Sequence, residues 1–256
     1  MPLLSIITIT YNAEPYLNRT LSSVALALKK CAQPQEVEYL IIDGGSKDKT
    51  LDIAAQYDYF ITKTISEPDR GLYDAMNKGL KLATGQYVWF LNAGDEVYND
   101  RVIDQLLAQL AIHPDVCYSD AMFVRENGEE VGLRSQFTPH TLPDHLKWQD
   151  FSLGMKVCHQ AFIPKRSLAP FYDITNLSAD IDWEIQCLKK AKLILRMHFV
   201  LCKYLLGGIS VKNHKRSLED RFKVLRKHFG LLPTLLSHLQ IFWRGFWFQR
   251  KHGKYW

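Results

Sequence analysis

The sequence EPDRGLYDAMNKGLKLATGQYVWFLNAGDE, residues Glu67–Glu96, decides the fold of this chain. It combines a polar loop interrupted by glycine with a short amphipathic helix over about Leu72–Ala83, an apolar strand over Tyr87–Leu91 and a turn that contains Asp95. A carboxylate just beyond the carboxyl end of a buried strand lies where open α/β sheets bind their ligands. Carboxylate oxygens are also ligands that Mg²⁺ and Mn²⁺ prefer. The stretch therefore predicts an α/β fold in which Asp95 belongs to a ligand site.

Outward from this stretch, the first half of the chain alternates apolar runs with helical patterns. Apolar runs bounded by turn residues predict buried strands, and apolar residues at helical spacing predict amphipathic helices. Strands that alternate with helices of about 10–16 residues predict a doubly wound, mostly parallel sheet. The further predicted strands are Leu3–Thr10, Glu38–Ile42, Tyr59–Thr64 and Val116–Ser119. The further predicted helices are Pro15–Lys30, Asp100–Ile112 and a helix that is capped by Ser46 or Asp48 and ends near Gln56.

After Tyr118 the alternation stops. The pattern predicts a hairpin over Met122–Leu133, an irregular aromatic segment over His140–Met155, a helix over Ala179–Lys190 and a strand over Leu193–Leu201. From about Ser217 it predicts two basic amphipathic helices broken at Gly230 and Pro233. We therefore predict an α/β domain over residues 1–211 and a basic, aromatic helical extension over residues 212–256.

The composition restricts the class of protein. The chain has 256 residues, of which 47% are hydrophobic and 23% charged, which is typical of a globular protein with a substantial core. Its five cysteines form no C-x-x-C pair, and its nine histidines show no metal-ligand spacing, so we expect reduced thiols in a cytoplasmic protein and no zinc site. The start MPLLSIITIT predicts a strand and not a signal peptide, and no apolar run reaches the ~20 residues of a membrane-spanning helix.

Positive charge is concentrated at the end of the chain. The segment Lys212–Trp256 carries 11 Lys/Arg and 2 Asp/Glu, so it has a net charge of +9, whereas the preceding residues carry −4. Within it, Phe242–Lys251 interleaves aromatic rings with cations, a combination that favours the surface of an anionic membrane. We expect a peripheral protein at the inner face of the cell membrane. The alternative is a helix packed on the domain with a solvated basic face.

Seven motifs follow one another along the chain: SIITITYN (Ser5–Asn12), IIDGGSKDKT (Ile41–Thr50), EPDRGLYDAMNKG (Glu67–Gly79), LNAGDE (Leu91–Glu96), CHQAFIPK (Cys158–Lys165), SADIDWEI (Ser178–Ile185) and LLGGIS (Leu205–Ser210). With these motifs the chain resembles the inverting glycosyltransferases of family 2, which have the GT-A fold. Within that family it is similar to the colanic-acid biosynthesis glycosyltransferases of bacterial exopolysaccharide clusters. The resemblance covers about residues 3–210.

The resemblance implies an activity and its partners. It implies transfer of a sugar, with inversion, from a nucleotide-sugar donor such as a UDP-sugar, with Mn²⁺ or Mg²⁺ as cofactor. The implied acceptor is a hydroxyl of a lipid-linked glycan in the synthesis of bacterial exopolysaccharide, capsule or lipopolysaccharide. It implies no nucleic acid partner.

The resemblance also assigns roles to residues on the donor side. Asp43 is expected to bind the nucleoside, although a turn residue that caps the next helix is the alternative. Asp95 is expected to bind the metal. Asn92 stands where many relatives carry a further acid; being neutral, it is expected to hydrogen-bond the ribose or the sugar and not to share the charge of the metal. The remaining donor-side residues that it implies are Thr8 and Tyr11 at the nucleotide, and Asp69, Arg70 and Asp74 beside the donor, with Arg70 reaching a phosphate.

For the acceptor side, the resemblance implies that Asp180 is the general base, with Asp182 as the second candidate. The preceding acid of many relatives is replaced here by Ala179. The alternative for Asp180 is favourable interaction with the helix dipole, worth ~0.3–1 kcal/mol. The pair His159-Gln160 either lines the donor or acceptor site or is packed in the core, and Gly207-Gly208 forms either a tight turn or a close approach to the diphosphate.

Two other functions remain as alternatives. Nucleotidyl transfer is disfavoured because Thr10–Glu14, directly after the first strand, is neither glycine-rich nor basic. A non-catalytic, basic binding protein for a membrane or a polyanion would not need the acids at Asp43, Asp95 and Asp180, and alanine at these positions would leave its binding unchanged.

Overall fold

The computed structural model describes residues 1–207 and 214–252, without the side chains of residues 214, 249, 251 and 252. Its strands are β1 Leu4–Thr10, β2 Val37–Asp43, β3 Lys63–Ser66, β4 Tyr87–Phe90, β5 Glu96–Val97, β6 Val116–Val124, β7 Glu130–Leu133, β8 Phe162–Pro164 and β9 Ile194–Leu205. Its α-helices are α1 Leu17–Lys30, α2 Thr50–Ala55, α3 Leu72–Leu82, α4 Val102–Leu110, α5 Arg134–Phe137, α6 Ala179–Lys190, α7 His214–Phe229 and α8 Leu231–His252.

The first sheet is parallel and has the strand order β3-β2-β1-β4. Every residue of β1 and β4 is buried, because β1 lies at the centre and helices cover the sheet. The pairing of Thr10 with Asp43, and of Asp43 with Ser66, brings the carboxyl ends of three strands to one edge. This parallel sheet confirms the predicted doubly wound α/β fold.

The second sheet is mixed and has the strand order β5-β9-β6-β7, with β8 also paired to β6. Strands β6 and β9 run parallel, whereas β5, β7 and β8 are antiparallel to their neighbours. In β5, Glu96 and Val97 pair with Lys203 and Cys202 of β9. This pairing holds the turn after β4 next to the end of β9. Because Asp95 lies in that turn, the pairing positions Asp95.

Several element boundaries differ from the sequence prediction. Strand β3 begins at Lys63 and not at Tyr59, because residues 57–60 form a turn in which Phe60 packs edge-on against Tyr39. Strand β6 continues to Val124 and joins the predicted hairpin, and β9 continues to Leu205. Neither Ser46 nor Asp48 caps α2, which begins at Thr50 after Lys49.

The two C-terminal helices differ in their environment. They are separated at Gly230, which has a φ of +85°, whereas Pro233 lies in the first turn of α8 and does not break it. In α7, Val224 and Leu225 are buried, and Phe229 stacks on Trp148 at a centroid distance of 5.3 Å. These contacts pack α7 against the α/β domain, and the predicted domain boundary at residue 212 stays a prediction.

In contrast, α8 exposes most of its large apolar side chains, among them Leu232 at 73%, Leu236 at 69% and Phe242 at 65%. Both predicted C-terminal helices are present; the cations are more numerous on α7, whereas α8 carries more of the large apolar side chains. Among the residues that the structure describes, no helix is both long and apolar enough to cross a membrane.

Candidate active site

Asp95 lies in the turn between β4 and β5, where two distant segments hold its carboxylate. Oδ1 accepts a hydrogen bond of 2.9 Å from the backbone N–H of Leu205, at the end of β9, and Oδ2 accepts one of 2.9 Å from Nε2 of Gln160. Burial raises the pKa of Asp95 to about 7, although both hydrogen bonds and the charge of Arg19 favour the ionised form. A cation bound to this carboxylate would displace its proton.

Asn92 supplies a second oxygen at the same turn. Its backbone carbonyl accepts a hydrogen bond of 3.0 Å from the N–H of Asp95, whereas its side-chain Oδ1 is buried without a hydrogen-bond donor in the described structure. A buried oxygen without a donor is uncommon in proteins. An amide oxygen beside a carboxylate is a set of hard ligands that suits Mg²⁺ or Mn²⁺. The turn therefore fits a divalent cation.

The turn cannot enclose a cation by itself. Within residues 1–207 and 214–252, no three His, Cys, Asp or Glu side chains form a metal-binding group. Gly94 has a φ of +102°, and a Cβ there would lie 2.8 Å from Cδ2 of Leu205, so this tight turn requires glycine. A cation at Asp95 would take its other ligands from a bound substrate or from water.

Asp180 begins helix α6 and is half-buried. Its Oδ1 accepts a hydrogen bond of 2.9 Å from the N–H of Ile181, and its own N–H lies 3.4 Å from the hydroxyl of Tyr73 in α3. Burial raises the pKa of Asp180, although the Ile181 hydrogen bond and the Arg221 guanidinium act in the opposite direction. A carboxylate with a raised pKa is better suited to accept a proton than one held ionised by a partner.

Asp182 points to a different place. It lines the groove between α6 and α7, where His228 Nε2 lies 2.5 Å from Oδ1 and Lys227 Nζ donates to both oxygens at 3.0 Å. Burial opposes its ionisation, but the hydrogen bonds from His228 and Lys227 outweigh burial and hold the pKa of Asp182 below its usual range. Asp182 is therefore held in a structural ion pair with Lys227, whereas burial is the main influence on Asp180.

Replacing Asp182 with asparagine is therefore expected to destabilise the fold by about 2–3 kcal/mol, because His228 and Lys227 lose a buried anionic acceptor. Because the pKa of Asp182 is lowered in the folded protein, its ionised form stabilises the fold. The difference in stability between wild type and Asp182→Asn should therefore be complete above about pH 4 and should decrease at lower pH, where the wild-type carboxylate is protonated. Urea unfolding of both chains at pH 7 and pH 3 measures this difference. The exposed Asp58→Asn serves as a control, and equal stability of Asp182→Asn and wild type at pH 7 would refute the structural role.

Asp43 ends β2 inside a set of donors from the chain itself. Its oxygens accept hydrogen bonds from Thr10 Oγ1 at 2.9 Å, from Ser66 Oγ at 2.7 Å, and from the hydroxyl and N–H of Ser46 and the N–H of Gly45. These bonds outweigh the burial that opposes ionisation, and they lower the pKa of Asp43. Five donors use most of the acceptor capacity of a carboxylate. These contacts indicate that Asp43 orders the loop after β2. Binding of a nucleoside by Asp43 stays a prediction.

Asp69 and Tyr11 lie against this loop from outside. A Cβ at Gly44 would lie 2.4 Å from Oδ2 of Asp69 and 3.3 Å from Cδ2 of Tyr11, so the glycine leaves room for both side chains. Tyr11 is 66% exposed, and Asp69 Oδ1 accepts a hydrogen bond of 2.8 Å from the N–H of Gly71. An open aromatic ring beside a carboxylate is an arrangement that can stack and hydrogen-bond a nucleobase.

Arg70 and Asp74 form the start of α3. Asp74 accepts hydrogen bonds from the backbone N–H of Arg70 at 3.0 Å and from its Nη2 at 3.3 Å, and these bonds lower the pKa of Asp74. The side chain of Arg70 is 75% exposed. Asp74 thus orders the loop, and Arg70 presents its guanidinium at the surface beside Asp69.

Thr8 does not line this surface. It is fully buried, its hydroxyl donates to the carbonyl of Leu91 at 2.7 Å, and it bonds the hydroxyl of Tyr39 at 2.6 Å. Its hydroxyl joins β1 to β2 and to the end of β4, which argues against contact between Thr8 and the nucleotide; that contact stays a prediction.

The pair His159-Gln160 was predicted either to line the site or to pack in the core, and the two residues differ in this respect. His159 is packed: its Nε2 lies 2.8 Å from the hydroxyl of Tyr172, and its ring contacts Phe90 and Trp183. Gln160 positions Asp95, as described above. Gly207 has a φ of +98° and follows β9, whereas Gly208 lies outside the described residues.

Tyr204 lies near the end of β9, one residue before Leu205, whose N–H donates to Asp95. Burial raises the pKa of Tyr204, and the nearby Cys158, Asp95 and Asp180 add to this rise by their charges. Arg134 acts on the same phenol with the opposite sign. The sequence analysis missed Tyr204 because a tyrosine inside a strand carries no distinguishing signal.

Glu184, one turn after Asp180 on α6, is a further residue that sequence analysis missed. It is fully buried, and neither carboxylate oxygen has a hydrogen-bond partner within the described structure. Burial raises the pKa of Glu184 well above its usual range; Asp180 adds to the rise, and Arg134 opposes it. Glu184 therefore lies one helical turn from Asp180, and its burial disfavours the ionised form.

The chain is similar to known enzymes of one family. The profile described as "Glycosyl transferase family 2" matches residues 5–169. A PGL/p-HBAD biosynthesis glycosyltransferase of Mycobacterium bovis is 31% identical over 220 residues, which cover 82% of this chain and 79% of the relative. An uncharacterized glycosyltransferase of Haemophilus influenzae is 27% identical over 255 residues, which cover 96% of this chain and 97% of the relative.

Solved structures share the fold. TarS of S. aureus in complex with UDP has a TM-score of 0.70 and 20% sequence identity, and the match covers 99% of this chain and 74% of that chain. The mannosyltransferase PcManGT of Pyrobaculum calidifontis, in complex with GDP-Man and Mn²⁺, has a TM-score of 0.64 and 14% identity over 94% of this chain and 69% of that chain. With its GT-A fold and the match over residues 5–169, this chain belongs to glycosyl transferase family 2 and is a glycosyltransferase.

Proposed function

We propose that this glycosyltransferase moves a sugar, with inversion and with the help of a divalent cation, from a UDP-sugar to a hydroxyl of a lipid-linked glycan. The observation that carries the proposal is a chain of contacts between Asp95 and Asp180. Gln160 donates to Asp95 and its neighbour His159 bonds Tyr172; Tyr172 stacks on Tyr73, whose hydroxyl lies 3.4 Å from the N–H of Asp180. Asp95 is suited to bind a cation, and Asp180 is suited to accept a proton. The process that we infer is the synthesis of a bacterial surface polysaccharide such as exopolysaccharide, capsule or lipopolysaccharide.

The donor nucleoside would lie across the carboxyl ends of β1, β2 and β3, where Tyr11 and Asp69 are accessible. Asp69 accepts from the chain only through Oδ1 among the hydrogen bonds described, which leaves Oδ2 beside Tyr11 for a base or ribose donor. TarS, which shares the fold, has been solved with UDP and with UDP-GlcNAc, and this supports a uridine nucleotide over other choices.

Asp95 and Asn92 would hold the cation, Mn²⁺ or Mg²⁺, between them and the donor. When bound, the cation supplies positive charge that stabilises a leaving diphosphate. The residues around it contribute orientation, because Gln160 and the Leu205 N–H fix both oxygens of Asp95. The complex of PcManGT with Mn²⁺ supports this choice of cofactor.

Asp180 would act as the general base. Its carboxylate accepts the proton of the acceptor hydroxyl as the hydroxyl oxygen forms a bond to the anomeric carbon. The bond from that carbon to the diphosphate oxygen breaks on the opposite side, and the nucleoside diphosphate leaves with the bonding electrons. A single displacement of this kind inverts the configuration of the sugar.

The binding of UDP tests the donor site separately from catalysis. We expect calorimetry to detect UDP binding in Mn²⁺, and we expect Asp69→Asn to weaken it by about tenfold, because a charge-assisted hydrogen bond contributes about 1.5–3 kcal/mol. The exposed Asp58→Asn is the matched control. Unchanged affinity in Asp69→Asn would exclude Asp69 from the site and return the role to Asp43.

The exposed apolar face of α8 supports attachment to a membrane. Its large side chains include Leu232, Leu236, Trp243 and Trp247, each at least half exposed, and Arg250 lies over the rings of Phe246 and Trp247. Aromatic and aliphatic side chains insert at the boundary of a bilayer, and nearby cations bind anionic head groups. We therefore place the enzyme in the cytoplasm, peripheral at the inner face of the cell membrane. Trp256 lies outside the described residues.

We expect the full-length variant with both Trp243→Ser and Trp247→Ser to bind anionic vesicles at least about tenfold more weakly than the wild type, because two exposed indoles no longer insert. Vesicle co-sedimentation measures this, and the wild-type affinity should fall as salt screens the cations. Tyr59→Ser, an exposed aromatic on the α/β domain, is the control. Equal binding by the tryptophan variant would mean that α8 has a structural role only.

A further inference from the structure

The hydroxyl of Tyr73, in the first turn of α3, contacts the start of α6. Tyr73 is 6% exposed, and its hydroxyl donates a hydrogen bond of 3.2 Å to the carbonyl of Leu177. The same oxygen accepts a hydrogen bond of 3.4 Å from the N–H of Asp180. A hydroxyl group can donate one hydrogen bond while it accepts another, so Tyr73 can make both at once. The candidate base is therefore tied to a side chain of another helix.

The N–H of Asp180 needs a partner from outside α6. The first four N–H groups of an α-helix have no acceptor within the helix. Asp180 is the second residue of α6, which begins at Ala179. The hydroxyl of Tyr73 supplies the missing acceptor and thereby fixes the residue that carries the carboxylate.

The ring of Tyr73 is itself held in place. It stacks on Tyr172 at a centroid distance of 5.4 Å, and Tyr172 stacks on Trp183 of α6 at 5.0 Å. Stacking at these distances is favourable for aromatic rings. One turn after Tyr73, the side-chain amide of Asn77 donates to the carbonyl of Tyr172 at 3.0 Å and accepts from its N–H at 2.7 Å. The stack and the amide contacts therefore restrict the position of the Tyr73 hydroxyl.

The segment before α6 is also held from its other side. The N–H of Leu177 donates to Oδ2 of Asp220, on α7, at 3.0 Å. Asp220 thus fixes the chain that leads into α6, and a purely structural Tyr73 would repeat this role through the carbonyl of the same residue. The additional contact with Asp180 indicates a role for Tyr73 beyond that of Asp220.

We propose that Tyr73 is a positioning residue for the transfer reaction: its hydroxyl fixes the first turn of α6 so that the carboxylate of Asp180 meets the acceptor hydroxyl. This proposal rests on the proposed function, since it takes Asp180 as the base. A general base must lie within hydrogen-bond distance of the proton that it accepts. A misplacement of about 1 Å can cost about 100-fold in rate. Loss of the Tyr73 hydroxyl should therefore lower the rate of transfer and leave the affinity for the donor unchanged.

The same hydroxyl affects the protonation of Asp180. Burial raises the pKa of Asp180, and the hydrogen bond from Ile181 and the charge of Arg221 oppose the rise. The hydroxyl of Tyr73 also opposes it, so removal of the hydroxyl should raise the pKa of Asp180 further. Because the base must be ionised to accept a proton, the acid side of the pH–rate profile should then move to higher pH. Among the described residues, the titratable groups that also interact with the charge of Asp180 include Glu184 on α6, Tyr172 and Tyr204 on β9.

Tyr73→Phe in the full-length protein tests the proposal, because it removes the hydroxyl and keeps the stacked ring. The rate is measured as release of UDP, in Mn²⁺, from a UDP-sugar that the wild type hydrolyses. We expect kcat to fall by about tenfold or more and the acid side of the pH–rate profile to move to higher pH. Affinity for UDP, measured by calorimetry in Mn²⁺, should stay at the wild-type value.

Tyr87→Phe is the matched control. The hydroxyl of Tyr87, on β4, is also buried and donates to the carbonyl of Pro114 at 2.6 Å, so this variant loses a hydrogen bond of the same kind. It should keep the wild-type kcat and pH–rate profile. An equal loss of kcat in Tyr73→Phe and Tyr87→Phe would overturn the proposal, because the loss would then follow from stability.

Hydrogen exchange at the amide of Asp180 tests the contact without donor or acceptor. In the wild type this amide should be protected although it lies in the first turn of a helix, and in Tyr73→Phe it should exchange at least about tenfold faster. Tyr87→Phe should exchange there like the wild type. An unprotected amide in the wild type would overturn the proposal, and this result can be obtained even if thermal unfolding shows that Tyr73→Phe does not fold.

The rates distinguish this proposal from the assignment of the base. If Tyr73→Phe keeps the wild-type kcat and pH–rate profile while Asp180→Asn loses its activity, the base is correct and Tyr73 has a structural role only. If Asp180→Asn keeps the wild-type rate, the assignment of the base fails, and the positioning role of Tyr73 fails with it.

Discussion

Replacing Asp180 with asparagine is expected to lower the turnover number, kcat, by about 10²–10⁴, because a positioned general base contributes a factor of that size. Asparagine has nearly the same shape as aspartate but cannot accept the proton of the acceptor. Affinity for UDP should stay near the wild-type value, since Asp180 lies on α6 and away from the nucleoside surface. The rate of UDP release and calorimetry with UDP measure the two quantities separately.

Asp182→Asn is the matched control for this result, because it changes the same chemical group two residues later on the same helix. Its carboxylate is held by His228 and Lys227, so we expect a loss of stability with a largely retained turnover number at low temperature. An active Asp180→Asn enzyme together with an inactive, well-folded Asp182→Asn enzyme would show that the base has been assigned to the wrong carboxylate.

Replacing Asp95 with asparagine is expected to abolish sugar transfer and to remove most of the Mn²⁺-dependent affinity for UDP. The substitution removes the anionic ligand that we assign to the cation. Gln160→Leu removes a hydrogen bond to Asp95 and keeps the carboxylate, so it should cost about 10–100-fold in metal affinity, the usual effect of losing a partner of a ligand. Calorimetry with UDP in Mn²⁺ and in EDTA separates these effects.

The informative result of that experiment is which of the two substitutions lowers the Mn²⁺-dependent affinity for UDP more. Asp95→Asn should be more severe than Gln160→Leu, and both should behave like the wild type in EDTA, where no cation is present. If Asp95→Asn retains the full gain in UDP affinity that Mn²⁺ gives the wild type, another group holds the cation.

The parallel sheet could be predicted because its signals are local. Strands β1 and β4 are continuous apolar runs that end in turn residues, and the helices between them have a clear apolar face. The position of Asp95 followed from the same pattern. Strand β3 was placed too early, because Tyr59 and Phe60 have high strand propensity but pack in a turn.

The partners of the site residues could not be predicted, because they come from distant parts of the chain. Gln160 and Leu205 hold Asp95 across 65 and 110 residues of sequence, respectively. For the same reason, the burial of Thr8 and the ion pair of Asp182 with His228 were invisible in the motifs. A motif gives the type of a residue and its approximate place, whereas tertiary contacts decide whether its polar atoms are available.

The C-terminal helices illustrate the same limit. Net charge predicted one basic extension, but burial of Leu225 and the stacking of Phe229 on Trp148 join α7 to the α/β domain. Along residues 231–248, in contrast, α8 exposes many of its large apolar side chains. The net charge of the segment did not predict how each of its helices packs against the α/β domain.

The release of UDP from a panel of UDP-sugars tests the central claim most directly, because it requires the donor site, the cation and the base together and can proceed slowly with water as acceptor. The wild type is expected to release UDP from at least one donor in Mn²⁺ and to lose this activity in EDTA. Asp95→Asn should be inactive, and Asp180→Asn should release UDP about 10²–10⁴ times more slowly than the wild type. Release at the wild-type rate by either variant, or by the wild type in EDTA, would contradict an active site built on these two carboxylates.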